Sequence, residues 1–365
     1  MPQIKEICSY LEEWAPPAYA ESYDNVGLLV GDRESEVKGV LVSLDCTEAI
    51  IDEAIEKGCN MVISHHPIVF KGLKRLTGKN YVERTILKAI KHDISIYALH
   101  TNLDSVLTGV NGKISDRLGL TNRLILNPKK EALHKLTVFV PKNDVEKVRR
   151  AMFEAGGGVI GNYSGCSFNI EGKGTFHPES GAGPAIGSVG KTQVQEEVRV
   201  ELMFPAFLSS KIMAAMTASH PYEEVAHYLH SLENENQYVG AGMVGNLPQE
   251  MEGADFLSFL KDAMELKLIR HTPILRKVIK KVAICGGSGS FLLPHAKRAK
   301  ADVYITGDFK YHEFFDAEDH IMIADIGHYE SEQFTIELIG DYVRKKFTTF
   351  AVRLTEVNTN PIHYF

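Results

Sequence analysis

Residues 40–66 read VLVSLDCTEAIIDEAIEKGCNMVISHH. An apolar β-branched run is followed by a polar turn and a stretch with Ile50, Ile51, Ala54 and Ile55 at helical spacing. A second apolar run closes it. That change of period predicts strand, helix, strand. Residues 282–308, VAICGGSGSFLLPHAKRAKADVYITGD, align with this stretch without a gap. They repeat its pattern, with Pro294 near the start of the second helix, where a missing N–H costs little. A βαβ unit implies parallel strands and a right-handed crossover. Two of them predict an α/β fold made from one module used twice. Each is followed by a further helix and strand: YVERTILKAIKHD with ISIYALHTNLD over 81–104, and KYHEFFDAEDH with IMIADIGHYESE over 310–332.

Ligands of such folds bind beyond the carboxyl ends of the parallel strands. His65, His66, His100, Asp104, Asp308, His328 and Glu332 all fall at or just past those ends. Pro67 cannot donate to a ladder and biases His66 toward an extended conformation, so the strand stops at the histidine doublet. His100 with Asp104 and His328 with Glu332 are both i, i+4 pairs. Alone, His100 or His312 reads as a polar rim residue, and His92, His134, His177 and His271 read as surface. A doublet joined by two His/acid pairs at equivalent points of a repeat is not accounted for that way. His65, His66, His328, Asp104 and Glu332 supply three imidazoles and two carboxylates, too many for one tetrahedral zinc. They suit two divalent ions sharing a bridging carboxylate, which in hydrolytic sites lie about 3.5–4 Å apart. With no thiol beside these motifs, zinc, manganese or iron in a hydrolytic site is expected over a structural zinc.

Three domains of sequence follow: 1–127 and 237–365 as the two α/β halves of one metal-binding domain, and 128–236 as an insert that interrupts the repeat. Within the insert, LHKLTVFVP (133–141) is a strand. NDVEKVRRAMFEAGGG (143–158) is a helix capped by Asn143 or Asp144 and stopped by glycines. GNYSGCSFNIEG (161–172) is a second strand. EEVRVELMFP (196–205) alternates Val198, Val200, Leu202 and Phe204 as a half-buried third. A helix over 205–220 and a strand over 223–232 complete a βαββαβ order, that of a ferredoxin-like module. GKGTFHPESGAGPAIGSVGK (172–191) reads as a long loop. SHPYEE (219–224) reads as a packed turn, or as a second polar site at a subunit contact.

Two glycine-rich turns remain. In CGGSGS (285–290) the amides of Gly286, Gly287 and Gly289 could approach a phosphate, and a plain tight turn fits equally. In SYDNVGLLVGD, Gly27 and Gly31 bracket a short apolar strand. The 365 residues carry a formal charge of −7 without a sustained Lys/Arg block, so there is no electrostatic footprint for nucleic acid. Five scattered cysteines without a CxxC predict reduced thiols and a cytoplasmic protein. The amphipathic N-terminus lacks the apolar core of a signal peptide, and no stretch has the length of a membrane span.

SHHP (64–67), LHTNLD (99–104), TGDFKYHE (306–313) and GHYESE (327–332), in this order and with DNVGLLVG (24–31), resemble the GTP cyclohydrolase I type 2 homologues. These are also called the NGG-interacting-factor-three-like proteins, and the resemblance covers about residues 1–127 and 237–365. It implies a dinuclear centre, most often zinc, held by His65, His66, Asp104, His328 and Glu332, with one imidazole of the doublet on each ion. His100 and His312 would line the same cavity. It also implies a toroidal homohexamer built as a dimer of trimers, with the insert similar to a PII-like or CutA-like domain. The implied activity is metal-dependent hydrolysis of a nucleotide-like substrate, with opening of the GTP imidazole ring as the named case. The alternative is a hexameric, metabolite-sensing regulator in which the metal serves structure.

Overall fold

Three apolar runs of the first half are buried along their whole length: β2 (Gly39–Ser43), β3 (Met61–Ser64) and β4 (Ser95–Ala98). Strands of a parallel sheet covered on both faces must be so. They pair in parallel in the order β4, β3, β2. β15 (Ala351–Leu354) adds in parallel beyond β2, and β1 (Gly27–Val30) runs antiparallel along β4. The computed structural model describes residues 1–130, 132–275 and 278–365. The chain forms two compact units, residues 1–128 with 237–365, and residues 129–236.

A second sheet in the first unit has β12 (Val278–Ser288), β13 (Val303–Gly307) and β14 (Met322–Asp325) in parallel. β11 (Arg270–His271) is antiparallel on the β14 edge. β10 (Asn236–Glu252) is antiparallel on β12, with β5 (Thr121–Lys129) outermost. Because side chains alternate along a strand, each sheet has two faces to bury. Val40, Val42, Met61 and Ile63 join Val282, Ile284, Val303 and Ile305 in one apolar cluster shared by both sheets. The intervening Leu41, Val62 and Ile96 pack instead with Ile50, Ile51 and Ala54 of the helix Glu48–Glu56 and with Ile86 and Ala89 of the helix Tyr81–Lys91. Ala283, Tyr304 and Ile323 do the same on Leu293 and Ala296 of the helix Leu293–Arg298. Asn80 starts the Tyr81–Lys91 helix by accepting from the Glu83 amide at 2.9 Å, which satisfies one of the orphan donors of the first turn.

The structure departs from the periodicity in a few places. Ile55, expected on the buried helix face, is 39% exposed. The helix expected over 310–320 is a 3₁₀ segment, Tyr311–Ala317, that buries Ala317 alone. A run with aromatic residues but no 3.6 period has nothing to hold it as an amphipathic α-helix.

The second unit is one antiparallel sheet of β6 (Leu133–Pro141), β7 (Phe168–Phe176), β8 (Gln193–Pro205) and β9 (His227–Leu232), in the order β7, β8, β6, β9. The helices Val145–Glu154 and Ser209–Ser219 supply Val148, Met152, Ile212 and Met216 to a core completed by Leu136, Val138, Val140, Val198, Val200, Leu202 and Phe204. The strand expected over 161–172 starts only at Phe168, and residues 172–176, expected as loop, pair with 193–197. Gly172 and Gly174 hid that pairing, since glycine weakens the strand signal without forbidding the ladder. In SHPYEE, the buried His220 is bonded through Nε2 to the Phe139 carbonyl at 3.0 Å, while its Nδ1 accepts from the Tyr222 amide. The turn is packed, and its Tyr222, Glu223 and Glu224 also line a cavity of this unit. Among the described residues no helix is long and apolar enough to cross a membrane.

Candidate metal centre

The three strand ends of the sequence reading meet in space. Past β3 the Ser64 hydroxyl donates to the His66 carbonyl at 2.9 Å and turns the chain. The doublet therefore does not point its rings to opposite faces, and the two ring centroids lie 4.9 Å apart. Past β4, His100 precedes a single helical turn, Thr101–Asp104, that carries Asp104 inward. Past β14, Gly327 takes φ +91°, a conformation that favours glycine. The helix His328–Glu332 that follows sets His328 and Glu332 on one face.

Glu332 stands at the centre. Its Oε1 lies 3.6 Å from His65 Nε2, which is itself 3.6 Å from Asp104 Oδ1. Its Oε2 lies 3.0 Å from His66 Nε2 and 3.3 Å from His328 Nε2. The donors thus form three overlapping groups, His65 with His66 and His100, His65 with Asp104 and Glu332, and His66 with His328 and Glu332; the last two contain a carboxylate. Glu332 is the carboxylate common to those two.

Each imidazole is aimed from behind. His65 Nδ1 donates to the Leu99 carbonyl at 2.7 Å, His66 Nδ1 to Asp45 at 2.8 Å, His100 Nδ1 to Asp24 at 2.8 Å and His328 Nδ1 to Asp308 at 2.7 Å. Such outer partners fix the tautomer and leave Nε2 for a ligand. Asp45 is steadied in turn by the Thr359 hydroxyl at 2.6 Å. Asp24 accepts from the Thr101 amide at 3.0 Å.

These residues fit a cation. His65 Nε2 and Asp104 Oδ1 are buried and have no hydrogen-bond partner, a costly state for polar atoms that a metal ion removes. Around Glu332 protons do the same work. Burial disfavours charge on His66, but its bonds to Asp45 and Glu332 outweigh that and raise its pKa to about 10. The bond to Glu332 raises His328 to about 9. Burial holds His65 below the usual imidazole range. Burial and the neighbouring Glu332 charge push Asp104 well above the carboxylate range. Burial acts on Glu332 in the same direction, yet His65, His66 and His328 take it well below.

The expected cavity residues divide. His100 lines the cavity of about 1040 Å³ around the centre, with its ring 5.4 Å from that of His65. His312 does not: it is exposed on the 3₁₀ segment against Tyr311 and Phe315. Gly286 and Gly287, read from the sequence as a possible phosphate contact, are hydrogen-bonded within the chain. Their amides donate to Asn111 Oδ1 at 3.0 Å and Ser331 Oγ at 2.9 Å. Gly287 has φ +65°, and a Cβ there would collide with Glu332 Oε1. The turn is bare so that the central carboxylate can approach. Gly289 is bare because a Cβ would come within 2.6 Å of the Tyr304 hydroxyl. A thiol is present after all: Cys285 lines the cavity. Burial and the charges of Asp104 and Glu332 push its pKa up, so it stays protonated.

Asp24, Asp45 and Thr359 were not found as site residues from the sequence. Asp45 follows β2 as His66 follows β3, so the strand-end rule applied to every parallel strand finds it. Nothing local marks Thr359.

The model of the Duf34/NIF3 (NGG1p interacting factor 3) family matches residues 2–361. A Bacillus subtilis protein named GTP cyclohydrolase 1 type 2 homolog is 40% identical over 99% of this chain and 98% of its own. The crystal structure of a Bacillus cereus protein related to NIF3 is similar with a TM-score of 0.86 at 38% identity, covering 100% of this chain and 99% of that one. A Staphylococcus aureus protein of known structure gives 0.79 at 32% identity, with the same coverage.

Proposed function

The chain belongs to the Duf34/NIF3 family, and from that premise we propose that it is a metal-dependent hydrolase that opens cyclic amidine C–N bonds in nucleotide-like small molecules. The observation that carries this is the partnerless pair of His65 Nε2 and Asp104 Oδ1 beside the shared Glu332. His65, Asp104 and Glu332 would hold one divalent ion, and His66, His328 and Glu332 a second, with zinc first and manganese or iron as substitutes. When bound, such ions polarise an oxygen and lower the pKa of water. The chain's own residues aim the ligands through Asp45, Asp308 and the Leu99 carbonyl, and His100, held by Asp24, faces the same space. A panel of purine bases, nucleosides and nucleotides tests the activity. Turnover should need the metal, disappear reversibly on chelation, and fall at least 100-fold in Asp104→Asn. Equal turnover in that variant would assign the activity to a contaminant.

We take the two parallel sheets as copies of one module, and residues 128–236 as a ferredoxin-like, PII-like insert. In support, the insert's strands follow the order βαββαβ, and the chain leaves from β5 and returns into its neighbour β10. Replacing residues 130–235 by a short Gly/Ser linker should therefore leave a folded protein with unchanged metal content. Insolubility or loss of metal would place the insert in the main core. The assembly proposed is the toroidal homohexamer implied by the resemblance, in the cytoplasm. A second reading, a metabolite-sensing regulator without turnover, is favoured by the insert's own cavity of about 630 Å³, lined by Phe176, Glu197 and Tyr222 among others. Full metal occupancy with no turnover across the panel would select it.

A further inference from the structure

Among the described residues, the wall of the metal cavity lacks lysine and arginine, whereas Glu21, Asp45, Asp104, Asp308 and Glu332 all line it. Apart from bound metal ions, sites for phosphate present guanidinium or ammonium groups or a row of free amides. Here the amides of Gly286 and Gly287 are committed to Asn111 and Ser331. Two divalent ions do not neutralise five carboxylates. Even the metal-loaded cavity therefore opposes a multiply charged anion, and the penalty grows with each added charge.

The cavity offers rings instead. Tyr23, Phe70, Tyr81 and Phe291 line it while remaining 69, 49, 58 and 62% exposed. Large apolar side chains gathered in the open at one place mark a binding surface. Phe70 stands edge-on to His100, with centroids 5.4 Å apart, so one ring of this set leads directly to the donors. Aromatic faces bind flat bases by stacking, whatever the base. Thr47, Asn127 and Ser288, which also line the cavity, add neutral polar groups suited to the edge of a heterocycle.

The geometry points to a substrate that is a flat, uncharged heteroaromatic molecule, a nucleobase or nucleoside in character and free of phosphate. This rests on the hydrolase reading and names its substrate class. The ring enters between the exposed aromatics, and the ring carbon to be attacked lies toward Glu332 and Asp104. On this account a nucleoside triphosphate is the wrong ligand, although its base is the right kind.

Calorimetric titration of the metal-loaded protein with guanosine, GMP and GTP as probes, without free magnesium, tests it. Affinity should fall at each step of added charge, with GTP at least tenfold weaker than guanosine. Phe70→Ala and Phe291→Ala should each weaken guanosine at least tenfold with metal content unchanged, while Phe291→Tyr keeps binding. Tighter binding of GTP than of guanosine overturns the proposal. So does guanosine binding that survives both ring removals, or no guanosine binding at all. The hydrolase reading fails differently: there guanosine binds as expected and nothing in the panel is turned over.

Discussion

Glu332→Gln should strip the protein of essentially all its metal, and no other single substitution at the centre should match it. Its two oxygens face different donor groups, Oε1 toward His65 and Asp104, Oε2 toward His66 and His328. A neutral amide keeps the shape but offers one weak acceptor and an N–H that repels a cation. Both ions of the proposed pair would thus lose a charged ligand at once. Elemental analysis should fall from about two ions per chain to near none, a far larger loss than the roughly 10–100-fold in affinity expected from removing an outer-shell partner. Asp45→Asn is the matched control for that smaller effect. It still accepts from His66 Nδ1 but no longer supports the ring with charge, so one ion should weaken and the other persist. Glu332→Gln should remain folded, since the imidazoles it leaves can turn neutral. If that variant retains both ions, the shared carboxylate is not the centre of the site.

Loading the metal-free protein at pH 7 should release about two protons per chain. Ligation needs the free Nε2 lone pair of His66 and His328, yet without metal their pKa values are raised to about 10 and about 9. His66 Nε2 then donates to Glu332 Oε2 at 3.0 Å, His328 Nε2 lies 3.3 Å from the same oxygen, and the entering cation must displace both protons. The sign follows. A raised imidazole pKa makes protons compete with metal up to that pKa, so apparent affinity climbs with pH through neutrality and levels off only near 9 to 10. Below that, each displaced proton costs roughly tenfold in affinity per pH unit. His65, held low by burial, contributes nothing. Calorimetry in two buffers of different ionisation enthalpy counts the protons. A count of zero would mean that His66 and His328 are neutral in the metal-free protein.

The sequence by itself determined the parallel core strands and set the histidines and carboxylates of the candidate site at their ends. Val40 to Ser43, Met61 to Ser64 and Val303 to Gly307 are buried along their whole length, and such runs are legible because burial on both faces leaves no polar gap. The pairing of His328 with Glu332 on one face was legible for the same local reason, the helical period. What a local period cannot show is who stands behind a ligand. Asp45 is 21 residues from His66, Asp24 is 76 from His100, and Thr359 is 314 from Asp45. Only the tertiary structure decided those contacts, because they arise where separate strand ends and the C-terminal segment converge. It also decided that Glu332 serves both donor groups, that Cys285 reaches the cavity and that His312 does not. The glycines of CGGSGS show the limit most clearly. In sequence they suit a phosphate or a tight turn equally, and only the structure shows that a carboxylate brought from residue 332 leaves no room for a Cβ at Gly287.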